Sequence, residues 1–290
     1  MIIVLTGPTG TGKSKMAISL AKKLGAAIIN ADAFQVYREL SIATAKPTDD
    51  MMMEAPHFLY DFVPLTEDYN VAEYQKDLRA NIAMLQQTET PIIIAGGTGL
   101  YIRAGLYDYE FKDTPPVDLS KYEGLTNDQL HEVLKAIDPK SAEEIHPNNR
   151  IRVMRAISIH ESLGIRKSDI VDAQKHQPIY DDLFFFGLTK NRAEIYADVE
   201  KRVDEMFDQG LVEENRALVD KYGREPHAFR AIGVKELFPY FDGLITLEDA
   251  KNQIKQNTRN YVKRQLTFFN HQFPITFIEK EEEILNLINR

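Results

Sequence analysis

The chain contains no cysteine. Structural disulfides and cysteine-ligated zinc are therefore excluded. Its seven histidines are scattered with no ligand spacing, so none reads as a metal ligand. No apolar run approaches the roughly 18–20 residues that a membrane helix requires. With core-strand residues from position 2 and no secretory pattern ahead of them, a cytoplasmic location is expected. Internal repeats and low-complexity segments are absent. Positive charge is also short: the net charge is −9, which argues against a nucleic-acid partner unless basic residues are gathered locally. The remaining composition, 43% hydrophobic and 27% charged over 290 residues, fits a globular core with room for a smaller insertion.

The strongest positive signal lies at the N-terminus. Ile2-Ile3-Val4-Leu5 is an apolar run that leads into Gly7-Pro8-Thr9-Gly10-Thr11-Gly12-Lys13-Ser14. Met16, Leu20 and Leu24 then recur on one helical side. Strand, glycine loop and helix in this order form a phosphate-binding loop. Its backbone N–H groups converge on phosphate oxygens, and the helix N-terminus adds partial positive charge. Lys13 would reach the outer phosphate, and the Ser14 hydroxyl would sit on Mg²⁺. The loop grips a diphosphate group and by itself does not say which compound carries it.

Ile28 to Asp32 reads as a second strand ending in a carboxylate, and Pro91 to Gly99 as a third that stops at glycines before and after Thr98. Val71 to Gln87 has helical spacing between them. Alternation of this kind implies a parallel sheet with crossover helices, an α/β core of phosphate-loop type. Ligands bind such sheets beyond the carboxyl ends of the strands, where the loop, Asp32 and Thr98 all fall. Pro115 and Pro116 end the alternation. Residues 113–182 read as an all-helical insertion, with capping boxes at Thr126–Gln129 and Ser141–Glu144. Leu183 to Leu188 returns to buried-strand character, so 1–112 and 183–290 form the core. The last third reads as helical.

Two basic stripes stand out on this acidic chain. Lys251, Lys255, Arg259 and Lys263 repeat every four residues, with Arg264 beside them, and Arg150, Arg152 and Arg155 cluster in the insertion. Each is either a solvated face or a grip on a nucleic-acid backbone.

Taken together, these segments resemble the tRNA dimethylallyltransferases, or tRNA isopentenyltransferases, of bacterial type. The resemblance spans nearly the whole chain. It rests on the glycine loop, Ala31-Asp32, Gln35-Val36-Tyr37-Arg38, Thr44-Ala45-Lys46-Pro47-Thr48 and Gly96-Gly97-Thr98-Gly99-Leu100-Tyr101. His146-Pro147-Asn148, Gly210 to Glu214, Ala231-Ile232-Gly233 and Lys263-Arg264-Gln265-Leu266 also fit.

The resemblance implies transfer of a dimethylallyl group from dimethylallyl diphosphate to N6 of adenosine-37, just 3′ of the anticodon in the tRNA anticodon stem-loop. Diphosphate would be released, with Mg²⁺ as cofactor, by a monomer without membrane contact. Thr9, Gly10, Thr11, Gly12, Lys13 and Ser14 would hold the diphosphate, and Arg192 resembles a family arginine that helps. Thr98 would donate to the diphosphate near its leaving oxygen. Asp32 would accept the N6 proton. The family's tRNA contacts fall on Asp32, Ala33, Phe34 and Gln35, and on Ile151, Arg152, Val153, Met154 and Arg155. Plainer roles remain open: Asp32 as a strand-end cap, Thr98 as a turn closure, Gln35 and Tyr37 as packing, Arg192 as a surface residue. The chain departs from the family at Ala33, usually serine, and at Arg230, commonly glutamine. Its insertion is short between Thr114 and His146. Two other functions share the loop: a small-molecule kinase, and a non-catalytic RNA-binding protein switched by nucleotide. Gly96-Gly97-Thr98, where many such kinases place a magnesium-holding aspartate, separates the first.

Overall fold

A computed structural model describes residues 1–174 and 176–289. It divides into two compact units, Met1–Leu106 with Tyr180–Arg290, and Tyr107–Ile179. The sequence reading put these boundaries at 112/113 and 182/183.

In chain order the first unit opens with β1 (Ile2–Thr6), α1 (Lys13–Leu24), β2 (Ala27–Asn30), α2 (Asp49–Met53) and β3 (His57–Phe58). α3 (Val71–Gln87), β4 (Ile92–Ala95) and α4 (Gly99–Leu106) follow. The second unit holds α5 (Asn127–Ile137), α6 (Pro139–Glu144), α7 (Arg150–Leu163) and α8 (Lys167–Ala173). The chain then resumes the first unit with β5 (Leu183–Leu188), α9 (Arg192–Asp208), α10 (Leu211–Tyr222), α11 (Phe238–Phe241) and α12 (Leu247–Gln272). β6 (Thr276–Ile278) and α13 (Glu281–Ile288) end it.

Six strands form one sheet in the order β3-β2-β4-β1-β5-β6. All of its pairings are parallel, with Ile2 opposite both Ile92 and Leu183. β1 is central and every residue in it is buried. This explains its unbroken apolar run, because a strand covered on both faces has no polar side to show. Ile3, Leu5, Ile93 and Phe186 pack there against Ala17 and Leu20 of α1. β6 corrects the reading of the last third as wholly helical. It is a three-residue edge strand with Thr276 and Phe277 exposed, so it carries no buried-strand signature.

Local chemistry sets the helix ends. Asn70 with Glu73 and Thr246 with Asp249 form capping boxes on α3 and α12. In the helical unit Thr126 caps α5 with Gln129. The expected box at Ser141–Glu144 does not form. Asp138 caps α6 instead, with Pro139 in the first turn, so Ser141 is already inside the helix. Burial pushes the Asp138 carboxyl up, but hydrogen bonds from Ser141 and Ser168 outweigh it and hold the group at about 2. Leu130, Leu134, Ile145, Val153 and Ile157 make this unit's own core. Among the described residues no helix is long and apolar enough to cross a membrane.

Candidate active site

Because the strands are parallel, their carboxyl ends lie along one edge. β1 delivers Gly7, β2 delivers Asp32, and β4 delivers Gly96 and Gly97. Gly7 has φ +139°, and a Cβ there would stand 2.7 Å from the Leu188 carbonyl, so the loop can leave β1 only through glycine. The loop is braced from within. The Thr11 hydroxyl donates to the Pro8 carbonyl at 2.8 Å, and Lys13 Nζ donates to the same oxygen at 2.6 Å.

Two side chains from distant helices brace it from outside. Arg202, on α9, donates from Nη1 to the Thr9 hydroxyl at 3.1 Å. Gln265, on α12 and only 4% exposed, accepts the Thr9 N–H at 3.1 Å. Its Nε2 donates to the Gly97 carbonyl at 2.9 Å. The amide thus ties the phosphate loop to the end of β4. The approach is close: a Cβ on Gly97 would meet Gln265 Nε2 at 2.2 Å.

The cavity above the loop has a volume of about 440 Å³. Thr9 to Lys15, Asp32, Gln35, Arg202 and Gln265 line it, together with Lys190, Asp198, Lys201 and Glu205. Lys190 is paired with Asp198 and Lys201 with Glu205. Lys13 and Arg202 have no carboxylate partner within ion-pair distance among the described residues, so the lining offers uncompensated positive charge. Burial, with the Arg202 guanidinium second, pushes the Lys13 ammonium down to about 7. Burial likewise lowers Arg202. An anion entering this cavity would relieve both.

A second cavity of about 240 Å³ shares Thr9, Asp32, Thr44 and Arg202 with the first. Its wall is largely apolar, with Phe34, Val199, Val203, Met206, Ile254 and Tyr261. Asp32 therefore stands where the two spaces meet. Its Oδ1 accepts the Phe34 N–H at 2.9 Å and the Gln35 N–H at 3.3 Å. The carboxylate caps the turn with one oxygen and leaves Oδ2 for other work. Three backbone N–H groups, of Ser41, Ile42 and Ala43, bind the Glu214 carboxylate and fix the segment that carries Thr44.

Several expected residues lie elsewhere or act differently. Thr98 lines neither cavity. Its hydroxyl accepts the Ala33 N–H at 3.0 Å, so it supports the Asp32 turn. Arg192 is exposed on the first turn of α9 and donates to the Tyr196 hydroxyl at 2.9 Å, outside the cavity lining. The α9 guanidinium at the site is that of Arg202. Gln35 lines the first cavity, but its Nε2 is engaged by the Thr44 and Ala45 carbonyls. Phe34 lines the second cavity and stacks on His227 with ring centroids 6.5 Å apart.

In the helical unit, Ile151 is 78% exposed, and Arg152 and Arg155 are exposed with it on one face of α7. Val153 is fully buried and Met154 packs on the same core, so three of the five expected residues face outward. Arg150 is spent on the carbonyls of Leu125, Tyr122 and Glu123. The α12 stripe is also largely consumed. Lys251 and Lys255 both bind Asp204 at 2.7 Å, and Arg259 binds Glu200. Acidic residues on α9 repeat at the same spacing and pair three of its four cations, leaving Lys263 exposed without an ion pair among the described residues.

Arg202 and Gln265 are the residues that sequence reasoning missed. Both left a trace. Arg202 interrupts the inward stripe Val199, Val203, Met206, and Gln265 interrupts Tyr261, Val262, Leu266, Phe269. A polar residue on an otherwise apolar helix face must find a buried partner.

Residues 35–272 match the family model described as IPP transferase. A tRNA dimethylallyltransferase of Anoxybacillus flavithermus is 44% identical, over 98% of this chain and 92% of that protein. The crystal structure of a tRNA delta(2)-isopentenylpyrophosphate transferase from Staphylococcus epidermidis superposes with a TM-score of 0.74 at 37% identity, covering 99% and 98% of the two chains. A eukaryotic dimethylallyltransferase acting on tRNA gives 0.81 at 26% identity, over 97% of this chain and 75% of that one. With the model covering most of the chain and relatives alike over nearly its full length, this protein belongs to the IPP transferase family.

Proposed function

We propose that this chain is a tRNA prenyltransferase that moves a dimethylallyl group from dimethylallyl diphosphate to N6 of the adenosine 3′ of the anticodon. One observation carries the reading. A cationic cradle and an apolar cavity meet at Asp32, so an anionic leaving group and a flat base can face each other across one carboxylate. No relative named above favours a kinase or a nucleotide switch.

The reaction breaks the allylic C–O bond and forms a C–N6 bond. The bonding pair leaves with the diphosphate. Loop N–H groups, Lys13 and Arg202 stabilise that growing charge from fixed positions. The adenine amine is a weak nucleophile, and Asp32 Oδ2 takes its proton as the new bond forms. Thr98 and the two backbone bonds to Oδ1 hold the carboxylate in place. A loop nucleotide leaves its stack at small cost, which suits the apolar second cavity.

Among the described residues no cluster of three or more histidine or acidic side chains could hold a metal. Ser14, which lines the loop cavity, would hold a Mg²⁺ that arrives with the diphosphate. When bound, it would neutralise part of the diphosphate charge.

The test supplies purified protein with dimethylallyl diphosphate, Mg²⁺ and unmodified tRNA, followed by mass analysis of the digested nucleosides. One adenosine is expected to gain a five-carbon unit. Hydrolysis of ATP without prenylation would overturn the proposal.

A further inference from the structure

We infer that Glu214, on α10, is a positioning residue for prenyl transfer that acts on Asp32 through the segment lying between the two cavities. This rests on the prenyltransferase reading and deepens it.

The segment from Glu39 to Ala45 does not hold its shape unaided. Glu39 has φ +63° and Ala45 φ +46°, a left-handed backbone that residues other than glycine disfavour. Such conformations persist where the surrounding structure imposes them, and they gather at functional sites. Here α10 grips the segment at two points. In its first turn the Glu214 carboxylate accepts three successive N–H groups. Oε2 takes those of Ser41 at 3.0 Å and Ile42 at 2.9 Å, and Oε1 takes that of Ala43 at 3.1 Å. Two turns further on, the Lys221 ammonium and the Tyr222 hydroxyl donate to the Glu39 carboxylate at 2.8 and 2.6 Å. The helix is itself fixed. Leu211, Asn215 and Leu218 are buried, and the Asn215 amide donates to the Gly233 carbonyl at 3.2 Å.

The gripped segment leads to the reacting centre. Thr44 follows the three bound amides and lines both cavities. The Thr44 and Ala45 carbonyls accept from Gln35 Nε2 at 3.0 and 3.2 Å. The Gln35 N–H in turn donates to Asp32 Oδ1. Hydrogen bonds and short stretches of backbone thus connect Glu214 to the carboxylate that takes the N6 proton. Charge-assisted bonds to amides fix direction as well as distance, which suits a group that aims another. The phosphate loop is braced separately, by Arg202 and Gln265. Loss of the clamp is therefore expected to misplace the proton acceptor and leave diphosphate binding in place.

The test uses three variants of the full-length protein. Glu214→Ala removes the clamp, and Glu214→Gln keeps one acceptor oxygen. Glu213→Gln removes the neighbouring exposed charge from the same helix turn. Single-turnover prenylation of tRNA is measured with both substrates saturating, at a temperature where each variant is folded. Calorimetry reads pyrophosphate affinity, and hydrogen exchange reads the amides of residues 41–45. Misplacing a reacting group by about 1 Å costs up to about 10²-fold in rate, so Glu214→Ala is expected to slow prenylation by about 10- to 100-fold. Its pyrophosphate affinity is expected to stay near wild type while the 41–45 amides exchange faster. Glu214→Gln is expected to recover part of the rate, and Glu213→Gln to match wild type. Should Glu214→Ala fail to fold, Glu214→Gln carries the test, with a smaller fall in rate at unchanged pyrophosphate affinity. A full rate despite faster exchange overturns the inference and leaves Glu214 a loop brace. Parallel loss of rate and pyrophosphate affinity, or an equal loss in Glu213→Gln, overturns it too. A wild-type protein that leaves tRNA unmodified overturns the reading beneath it instead.

Discussion

Gln265 offers a sharp test of how the site is held. In Gln265→Leu the volume stays nearly filled, while the Thr9 N–H loses its acceptor and the Gly97 carbonyl keeps only the longer donation from the Tyr261 hydroxyl at 3.4 Å. Each orphaned buried group costs about 1–3 kcal/mol. Thr9 lines the cavity, so water can rehydrate its amide, and a loss of about 1–3 kcal/mol is expected. Gln265→Glu behaves differently. Its carboxylate still accepts from Thr9 but sets an anionic oxygen against the Gly97 carbonyl. Protonated, it donates there as the amide does. The glutamate clamp therefore holds at low pH and weakens as pH rises through that carboxyl's pKa, the opposite of what an ordinary paired carboxylate gives. Urea unfolding at pH 5 and pH 8 reads stability, and calorimetry with inorganic pyrophosphate reads the loop. The leucine variant is expected to lose both stability and pyrophosphate affinity. Unchanged values for both would refute the clamp.

Asp32→Asn keeps an oxygen for the Phe34 and Gln35 N–H groups but cannot take a proton. Single-turnover prenylation is expected to fall by about 10²-fold or more with pyrophosphate affinity nearly intact, and undiminished turnover removes Asp32 from the mechanism. At pH 8 free Lys13, with its pKa near 7, is largely neutral, and a bound anion favours its charged form. Pyrophosphate binding should therefore take up a proton and weaken as pH rises above 7. Calorimetry in buffers of different ionisation heat checks this, and Lys13→Arg, charged throughout, should abolish the uptake. On α7, Val153→Ala should cost roughly 1–3 kcal/mol of stability, whereas Ile151→Ala should leave melting unchanged and weaken tRNA binding. Equal melting losses would contradict the placement of the two side chains.

Much of this architecture was legible in sequence because its signals are local. The apolar run of β1, the glycine loop and the carboxylate after β2 each declare themselves within a few residues. Asp32 was read at a strand end, and it stands there between both cavities. What escaped was either too short or too distant. β3 is two residues long and β6 three, below the length at which alternation means anything. The α12 stripe looked available because its neutralising partners sit about 50 residues away on α9, and only packing brings Asp204 and Glu200 against it. Arg192 was named by resemblance of motif alone, and Arg202 was not singled out. On α9, Arg202 shares the inward face of Val199 and Val203 while Arg192 lies near the exposed start. Val153 shows the same rule in reverse. One turn of helix cannot present five consecutive residues to a partner.

The most direct measurement is a crystal structure of this protein with a non-hydrolysable dimethylallyl diphosphate analogue. The diphosphate is expected on the loop between Lys13 and Arg202, with the allylic carbon directed past Asp32 toward the cavity of Phe34 and Tyr261. A diphosphate bound away from the loop, or a prenyl tail turned from Asp32, would contradict the account.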